Sequence, residues 1–408
     1  MKRNVNKLEV EEALCALLEE LDQIRDVEWA PLSAFSGRVL AEDVVAPFPV
    51  PHFPKSAMDG YAVRAEDVAA ASPEHPVRLR VIGEVLAGDS LQALQTGQNG
   101  TAVRIMTGAA VPEGYDAVVR QEDTDYGEEE VEIYQSIPLY RNYCKVGEDI
   151  EKGSVVLPAG TKLGRVEAGV LASLGIASVP VLRKLRVKIL STGSELCEPE
   201  RSEAPPVGRI YSSIPYTLRC SLEEAGFTAE HTLCPDDPDE IAAQLGDALE
   251  TADVIITTGG VSVGKKDLLP EVLERIGAKK IFGGVNIQPG TPTIGSVKDG
   301  KPVLSLSGNP YAAIVNFDLY FWEIAAKLTG CSTFRPVRED AVLQDDYPKE
   351  NRLRRMVRAR TVNGKVYLPA KSHASSVLSN LLDCNSYLDV PPATSLKAGD
   401  VVRIIRTD

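Results

Sequence analysis

The stretch Val254-Ile255-Ile256-Thr257-Thr258-Gly259-Gly260-Val261-Ser262-Val263-Gly264 decides how this chain reads. Its first residues form a continuous apolar, β-branched run, the pattern of a strand covered on both faces, and such strands belong to parallel sheets. The run ends in small residues, which let backbone N–H groups approach a phosphate closely. Two other stretches repeat the design: Lys188-Ile189-Leu190-Ser191-Thr192-Gly193-Ser194 and Val303-Leu304-Ser305-Leu306-Ser307-Gly308-Asn309-Pro310. Each loop then lies at the carboxyl end of a strand, where open α/β sheets take their ligands. Three such loops in one domain-sized segment predict a phosphate-bearing ligand laid across the sheet.

Around these loops, residues 184–330 alternate between strand and helix patterns. Helices are expected at Pro215–Ala225, Asp239–Leu249, Leu268–Ile276 and Tyr311–Leu328, and Asp299-Gly300 marks a hairpin between Thr293–Val297 and Val303–Leu306. A doubly wound sheet follows. Upstream, Leu8 to Leu21 carries apolar residues at helical spacing, and Pro47, Pro49, Pro51 and Pro54 mark an extended connector. Residues 77–157 read as short strands punctuated by Gly and Pro, and Glu167–Leu174 as a short helix. Beyond Thr333 short strands return at Met356–Arg360, Lys365–Leu368, Tyr387–Val390 and Val401–Ile405, a small β barrel or sandwich.

Composition narrows the function. The 408 residues carry 44 Lys plus Arg against 58 Asp plus Glu, a net charge of −14. That balance opposes non-specific binding to nucleic acid or anionic membranes, so an anionic ligand must be held by local donors or a metal ion. No apolar run is long enough for a membrane span, and the start lacks a signal-like apolar region. The seven cysteines are scattered without a C-x-x-C pair, which argues against structural zinc and for reduced thiols in the cytoplasm.

Ser56-Ala57-Met58-Asp59-Gly60-Tyr61-Ala62-Val63 resembles the signature of the MoeA-type molybdopterin molybdenumtransferases, a family that includes the E domain of gephyrin. The match continues in order through Arg104-Ile105-Met106-Thr107-Gly108-Ala109, Val111-Pro112-Glu113-Gly114, Gly147-Glu148-Asp149-Ile150, Ser191-Thr192-Gly193-Ser194-Glu195-Leu196 and the Thr258–Gly264 loop. It runs from about Leu8 to the carboxyl terminus. The resemblance implies an elongated homodimer with four domains per subunit: 1–50 with 150–182, an inserted β-rich domain 51–149, a molybdopterin-binding α/β domain 183–331, and a C-terminal β-barrel domain 332–408. It further implies that adenylylated molybdopterin and molybdate are the substrates, with AMP released with the help of Mg²⁺. The cleft would lie between the α/β domain of one subunit and the β-rich domain of the other. The molybdopterin adenylyltransferase and acceptor molybdoenzymes would be transient partners.

The residues expected to carry this chemistry fall into three groups. Glu195, Asp236 and Asp267 follow predicted strands, and carboxylates beside a phosphate need a cation such as Mg²⁺ between them. Asp236 or Asp237 also stands where a helix cap is wanted, and Asp267 precedes a helix too. With Asp59 and Asp149, which the resemblance places in the pterin cleft, Glu195 and Asp267 form the expected catalytic set; Asp-Gly at 59–60 also suits a turn. Binding falls to Thr107, to Ser191, Thr192, Gly193 and Ser194, to Thr258, Gly259, Gly260, Ser262 and Gly264, and to Ser307, Gly308, Asn309 and Pro310. Arg358 and Ser375 are the matches to an Arg and a Ser implicated in molybdate binding, with Ser372 competing for the second; an Arg cluster on a strand is also a common charged face.

Several positions depart from the family pattern. Gly284 and Gln288 stand where two anion-facing lysines are expected, and Thr291 replaces a third cation. The loop at Ser307–Ala312 lacks the first Pro and the Ser hydroxyl of the usual Pro-Gly-Asn-Pro-Val-Ser, Cys144 replaces a common Arg, and Lys55 a frequent Asn. A charge-assisted hydrogen bond contributes about 1.5–3 kcal/mol, so losing two would weaken oxyanion binding substantially, unless Lys265 and Lys266 compensate. The alternatives are therefore a paralogue that binds molybdopterin without inserting metal, or one with a tungstate preference.

Overall fold

A computed structural model describes residues 7–90, 96–200, 203–261, 268–369 and 374–407. The chain divides into two compact units: Met1–Ala41 with Gly160–Gly164 and Val179–Asp408, and Glu42–Ala159 with Arg165–Ser178.

The first unit is built on a six-stranded sheet in the order Thr228–Cys234, Arg186–Thr192, Val254–Thr258, Lys301–Leu306, Ile294–Lys298, Lys279–Gly283. The first four strands are parallel, and Ile294–Lys298 pairs antiparallel with both Lys301–Leu306 and Lys279–Gly283, so it alone runs against the other five. The expected hairpin is present: Asp299 and Gly300 both take positive φ, 51° and 75°, and Lys298 pairs with Lys301. The burial that the apolar runs imply is complete in Val254–Thr258, all five residues of which are buried. Alternate side chains serve opposite faces. Val254 and Ile256 join the core under helices Ile214–Glu224 and Pro310–Thr329, while Ile255 joins the one formed with Pro238–Thr251 and Leu269–Arg275. Helices cover both faces, so the sheet is doubly wound.

Strand order reverses between Arg186–Thr192 and Val254–Thr258, because the chain places Thr228–Cys234 on one side of the first strand and Val254–Thr258 on the other. Such a switch point opens a crevice at the strands' carboxyl ends. The helix Pro310–Thr329 begins at the next loop along, is almost entirely buried, and stops at Gly330 in the left-handed conformation, φ 68°.

The C-terminal part of this unit is a closed five-stranded β-barrel. Its ring runs Arg354–Val362, Lys365–Tyr367, Arg338–Leu343, Val401–Arg406 and Ser386–Val390, and the last strand pairs back to the first. A short strand, Ile287–Gln288, adds to Arg354–Val362 in parallel, with Gln288 opposite Arg355.

The second unit carries a five-stranded sheet, Ala117–Arg120, Gly60–Val63, Thr101–Ile105, Val77–Val85 and Glu130–Ile133. Gly60 is dictated by packing: a Cβ there would lie 1.9 Å from the Val119 carbonyl oxygen. The expected helix at 167–174 forms over Arg165–Ser173 and groups with this unit. Among the described residues no helix is long and apolar enough to cross a membrane, and all seven cysteines are free of disulfides.

Candidate functional site

At the switch point lies a cleft of about 380 Å³ lined by Thr192, Gly193, Glu195, Thr258, Gly259, Gly260, Ser307, Gly308 and Pro310 from the three glycine loops, with Asp236 on one side. Glycine is needed in its floor. Gly259 has φ 93°, and a Cβ on it would lie 2.4 Å from the Thr192 carbonyl oxygen. Gly193 lies directly under Glu195, whose carboxylate oxygens would be 2.8 and 2.9 Å from a Cβ at that position. Ser191 is wholly buried beneath the floor, where its Oγ accepts from Thr258 Oγ1 at 2.9 Å.

The carboxylates separate cleanly. Asp237 caps helix Pro238–Thr251, its Oδ1 accepting from the Asp239 and Glu240 N–H groups. Asp236 is thereby left for the cleft, where its Oδ2 accepts from Ser194 N at 3.1 Å and Ser194 Oγ at 3.0 Å. Glu195 and Asp236 line the cleft together, and among the described residues no Lys or Arg lines it with them. Among the described residues no cluster of three or more His, Cys, Asp or Glu could hold a metal. Asp267, Ser262, Gly264, Lys265 and Lys266 lie outside the described residues, as does Ser372.

The far wall of the cleft comes from Ile210, Tyr211, Ser212 and Ser213, brought there by a two-residue parallel pairing of Leu196–Cys197 with Ile210–Tyr211. Arg209 Nη1 donates to the Ser194 carbonyl at 2.5 Å and ties the two segments together. No periodicity announces a pairing this short.

A second groove, of about 440 Å³, adjoins the first and shares Ser307 with it. Gln288, Gly290, Thr291, Asn309 and Ser375 line it, together with Lys349 and Arg355. Asn309 Nδ2 donates to Ser375 Oγ at 3.0 Å, and Tyr311 N donates to the Ser375 carbonyl. Arg358 takes a different position. It is fully buried, its Nη2 donates to the Ala374 carbonyl at 3.0 Å and its Nη1 to the Val377 carbonyl, and its guanidinium carbon stacks 3.7 Å from the centre of the Tyr311 ring. It braces the Ala374–Val377 turn from behind, while Arg355 and Lys349 supply the charge in the groove. Of the departures noted above, Gln288 and Thr291 line this groove, whereas Gly284 does not.

In the second unit, Thr107 N and Oγ1 both donate to Asp59 Oδ1, each at 2.7 Å. These donors hold the Asp59 carboxyl below the usual carboxylate range, the backbone N–H contributing most. Asp149 is exposed, its N–H donating to the Val50 carbonyl. Cys144 and Lys55 stand opposite each other in a two-residue antiparallel ladder, so the cation missing at 144 is present on the facing strand.

The same organisation recurs in known proteins. Three family models match in chain order: the MoeA N-terminal region (domain I and II) over residues 8–175, a probable molybdopterin binding domain over 188–326, and the MoeA C-terminal region (domain IV) over 340–406. The molybdopterin molybdenumtransferase of Bacillus subtilis (strain 168) is 38% identical over 391 residues, covering 93% of this chain and 90% of its own length. That of Staphylococcus epidermidis (strain ATCC 12228 / FDA PCI 1200) is 34% identical over 406 residues, covering 98% and 96%. A crystal structure of the molybdopterin biosynthesis MoeA protein of Pyrococcus horikoshii OT3 superposes with a TM-score of 0.85 at 32% identity, covering 98% of this chain and 100% of that one. This chain therefore belongs to the MoeA family of molybdopterin molybdenumtransferases and is a transferase of molybdenum cofactor biosynthesis.

Proposed function

We propose that the protein takes adenylylated molybdopterin and molybdate, releases AMP and leaves molybdenum on the pterin dithiolene. The observation that carries this reading is the junction of two cavities of opposite chemistry at Ser307: one lined by the carboxylates Glu195 and Asp236, the other by the cations Lys349 and Arg355. A substrate that presents a phosphoanhydride to the first and receives an oxyanion from the second requires that pairing.

In this reading Thr192, Gly193, Thr258, Gly259 and Gly260, with Ser307, Gly308, Asn309 and Pro310, form the floor on which the phosphate-bearing tail lies. The amino end of helix Pro310–Thr329 adds its positive end there. Mg²⁺ uses one or two carboxylates and completes its shell with water and substrate phosphate oxygens. Glu195 and Asp236 fit that demand, and Asp267 is the third candidate. Bound there, Mg²⁺ would supply neutralisation of phosphate charge. Ser194 holds Asp236 in place. Asp59, kept ionised by Thr107, and Asp149 serve the cleft of a second copy in a homodimer, with each subunit divided into the four domains set out above.

The test is AMP release by the purified chain from adenylylated molybdopterin with Mg²⁺, with and without molybdate or tungstate. Oxyanion-dependent release supports the assignment, and Asp236→Ala should abolish it. Retention of the adenylylated pterin without release under every condition would favour the carrier reading suggested by Gln288 and Thr291.

A further inference from the structure

We infer that Arg355 and Lys349 are the oxyanion-selecting cations of this protein, standing in for cations absent from the Gln288–Pro292 loop. Their ligand is a tetrahedral dianion of the molybdate and tungstate class; the inference rests on the proposed reaction for that anion's identity and deepens it.

The arginines of the first barrel strand have different occupations. Arg354 is consumed by two carboxylates, reaching Glu11 at 2.7 and 2.8 Å and Asp389 at 2.8 and 2.7 Å. Arg358 is sealed in the interior against carbonyl groups and the Tyr311 ring. Arg355 lines the groove, and its hydrogen-bond partner is neutral: Nη1 donates to Asn351 Oδ1 at 3.0 Å. Among the described residues it makes no ion pair. One neutral contact leaves most of a guanidinium's five donors available.

The partner side chain also orders the groove wall. Asn351 Nδ2 donates to the Lys349 carbonyl at 3.0 Å and to Tyr347 Oη at 3.2 Å. One amide therefore ties Arg355 to the backbone that carries Lys349. Opposite them, Ser375 Oγ accepts from Asn309 Nδ2, so its own proton is free to point into the groove. No carboxylate lines this space among the described residues. In a chain of net charge −14 that exclusion is informative, because a lone carboxylate would cancel the attraction for an anion.

Register explains the exchange. Gln288 and Arg355 are partners across the short parallel pairing, and adjacent strands lie about 4.8 Å apart. A cation at 355 thus stands one strand away from position 288, within reach of the same anion through the longer arginine side chain. The planar fork of Arg matches two oxygens at once, and Lys349, exposed at the rim, adds a mobile point charge.

The experiment is calorimetric titration of the full chain with molybdate, tungstate, sulfate and phosphate, using wild type, Arg355→Ala, Arg355→Lys, Lys349→Ala and the double variant Gln288→Lys with Arg355→Ala. Thermal unfolding of each accompanies it. Arg355→Ala should weaken molybdate and tungstate binding about tenfold or more, Arg355→Lys should recover part of it, and adding Gln288→Lys should restore it. Lys349→Ala should weaken binding less and reduce its salt dependence. Molybdate affinities within about twofold of wild type in both alanine variants overturn the inference. Equal wild-type affinity for all four anions overturns the molybdate-class assignment. If molybdate binding depends on Arg355 but no AMP is ever released, the anion site stands and the transferase reaction proposed for it falls.

Discussion

Thr107 directs two donors, its backbone N–H and its hydroxyl, at one oxygen of Asp59, each at 2.7 Å. The signature Ser56–Val63 and the loop around Thr107 are far apart in sequence, and the pairing of Gly60 with Ile105 in the sheet joins them. Both donors favour the charged carboxylate and hold its pKa down. Asp59 is therefore presented as a fixed anion with Oδ2 unpartnered among the described residues.

Removing one donor should be visible in pH dependence. Thr107→Val deletes the hydroxyl contact, which raises the Asp59 pKa toward its ordinary value because the charged form loses support. If ionised Asp59 is needed, the acidic limb of the AMP-release profile moves to higher pH, while Thr107→Ser leaves it in place. An unmoved limb in Thr107→Val would separate this contact from the reaction.

Two glycines of the cleft should respond differently to one added methyl group. At Gly259 alanine faces both a left-handed backbone and a carbonyl 2.4 Å away, so Gly259→Ala should lose about 2 kcal/mol or more of stability. At Gly308 the nearest atom to a Cβ is the Gly259 Cα at 3.4 Å, an ordinary contact. Gly308→Ala should fold normally yet narrow the cleft and weaken binding of the adenylylated pterin. Urea unfolding and calorimetry of the two variants distinguish these outcomes.

Arg358 should behave as a positioning residue. Arg358→Met takes the Nη1 donor from the Val377 carbonyl and leaves the Ala374 carbonyl to the Val377 N–H alone, a loss of roughly 1–3 kcal/mol for the one part-buried carbonyl that loses its partner. Urea unfolding should report that loss, and molybdate affinity should fall through displacement of Ser375. Arg358→Lys should recover stability in part. An Arg358→Met variant with unchanged stability and lost molybdate affinity would instead make Arg358 a direct ligand.

The sequence made the three glycine loops legible because a continuous apolar run and a small-residue turn need no partner to be recognised. The helices were equally plain: Pro310–Thr329 and Ile214–Glu224 lie within a residue of their expected bounds at all four ends. Thr228–Cys234 is marked in sequence only by Asp236 beyond its end, and Lys279–Gly283 carries no clear signal. They are the two outermost strands of the sheet, and an edge strand carries polar residues that blur the apolar signal. Arg355 was hidden for another reason. Arg354, Arg355 and Arg358 are chemically alike in sequence, and only the carboxylates, carbonyls and ring that meet two of them leave the third for the groove. The Ile210–Ser213 wall depends on a pairing of two residues on each side, too short for any periodic pattern.

Asp318 offers a test of how the helix behind the site is anchored. It sits within helix Pro310–Thr329, accepts from Tyr387 Oη at 2.5 Å and from Trp322 Nε1 at 3.2 Å, and so links that helix to barrel strand Ser386–Val390. Burial pushes its carboxyl up from 3.8 to about 6 despite those two donors. A folded-state pKa above the unfolded one means that the native state binds the proton more tightly. Its contribution to stability is then fully present below about pH 4 and is lost as pH rises through about 6. Asp318→Asn cannot ionise and keeps an oxygen to accept from Tyr387. Plots of unfolding temperature against pH should therefore fall less steeply between pH 4 and 7 in the variant than in the wild type. Parallel curves would mean that Asp318 remains ionised in the folded protein across this range.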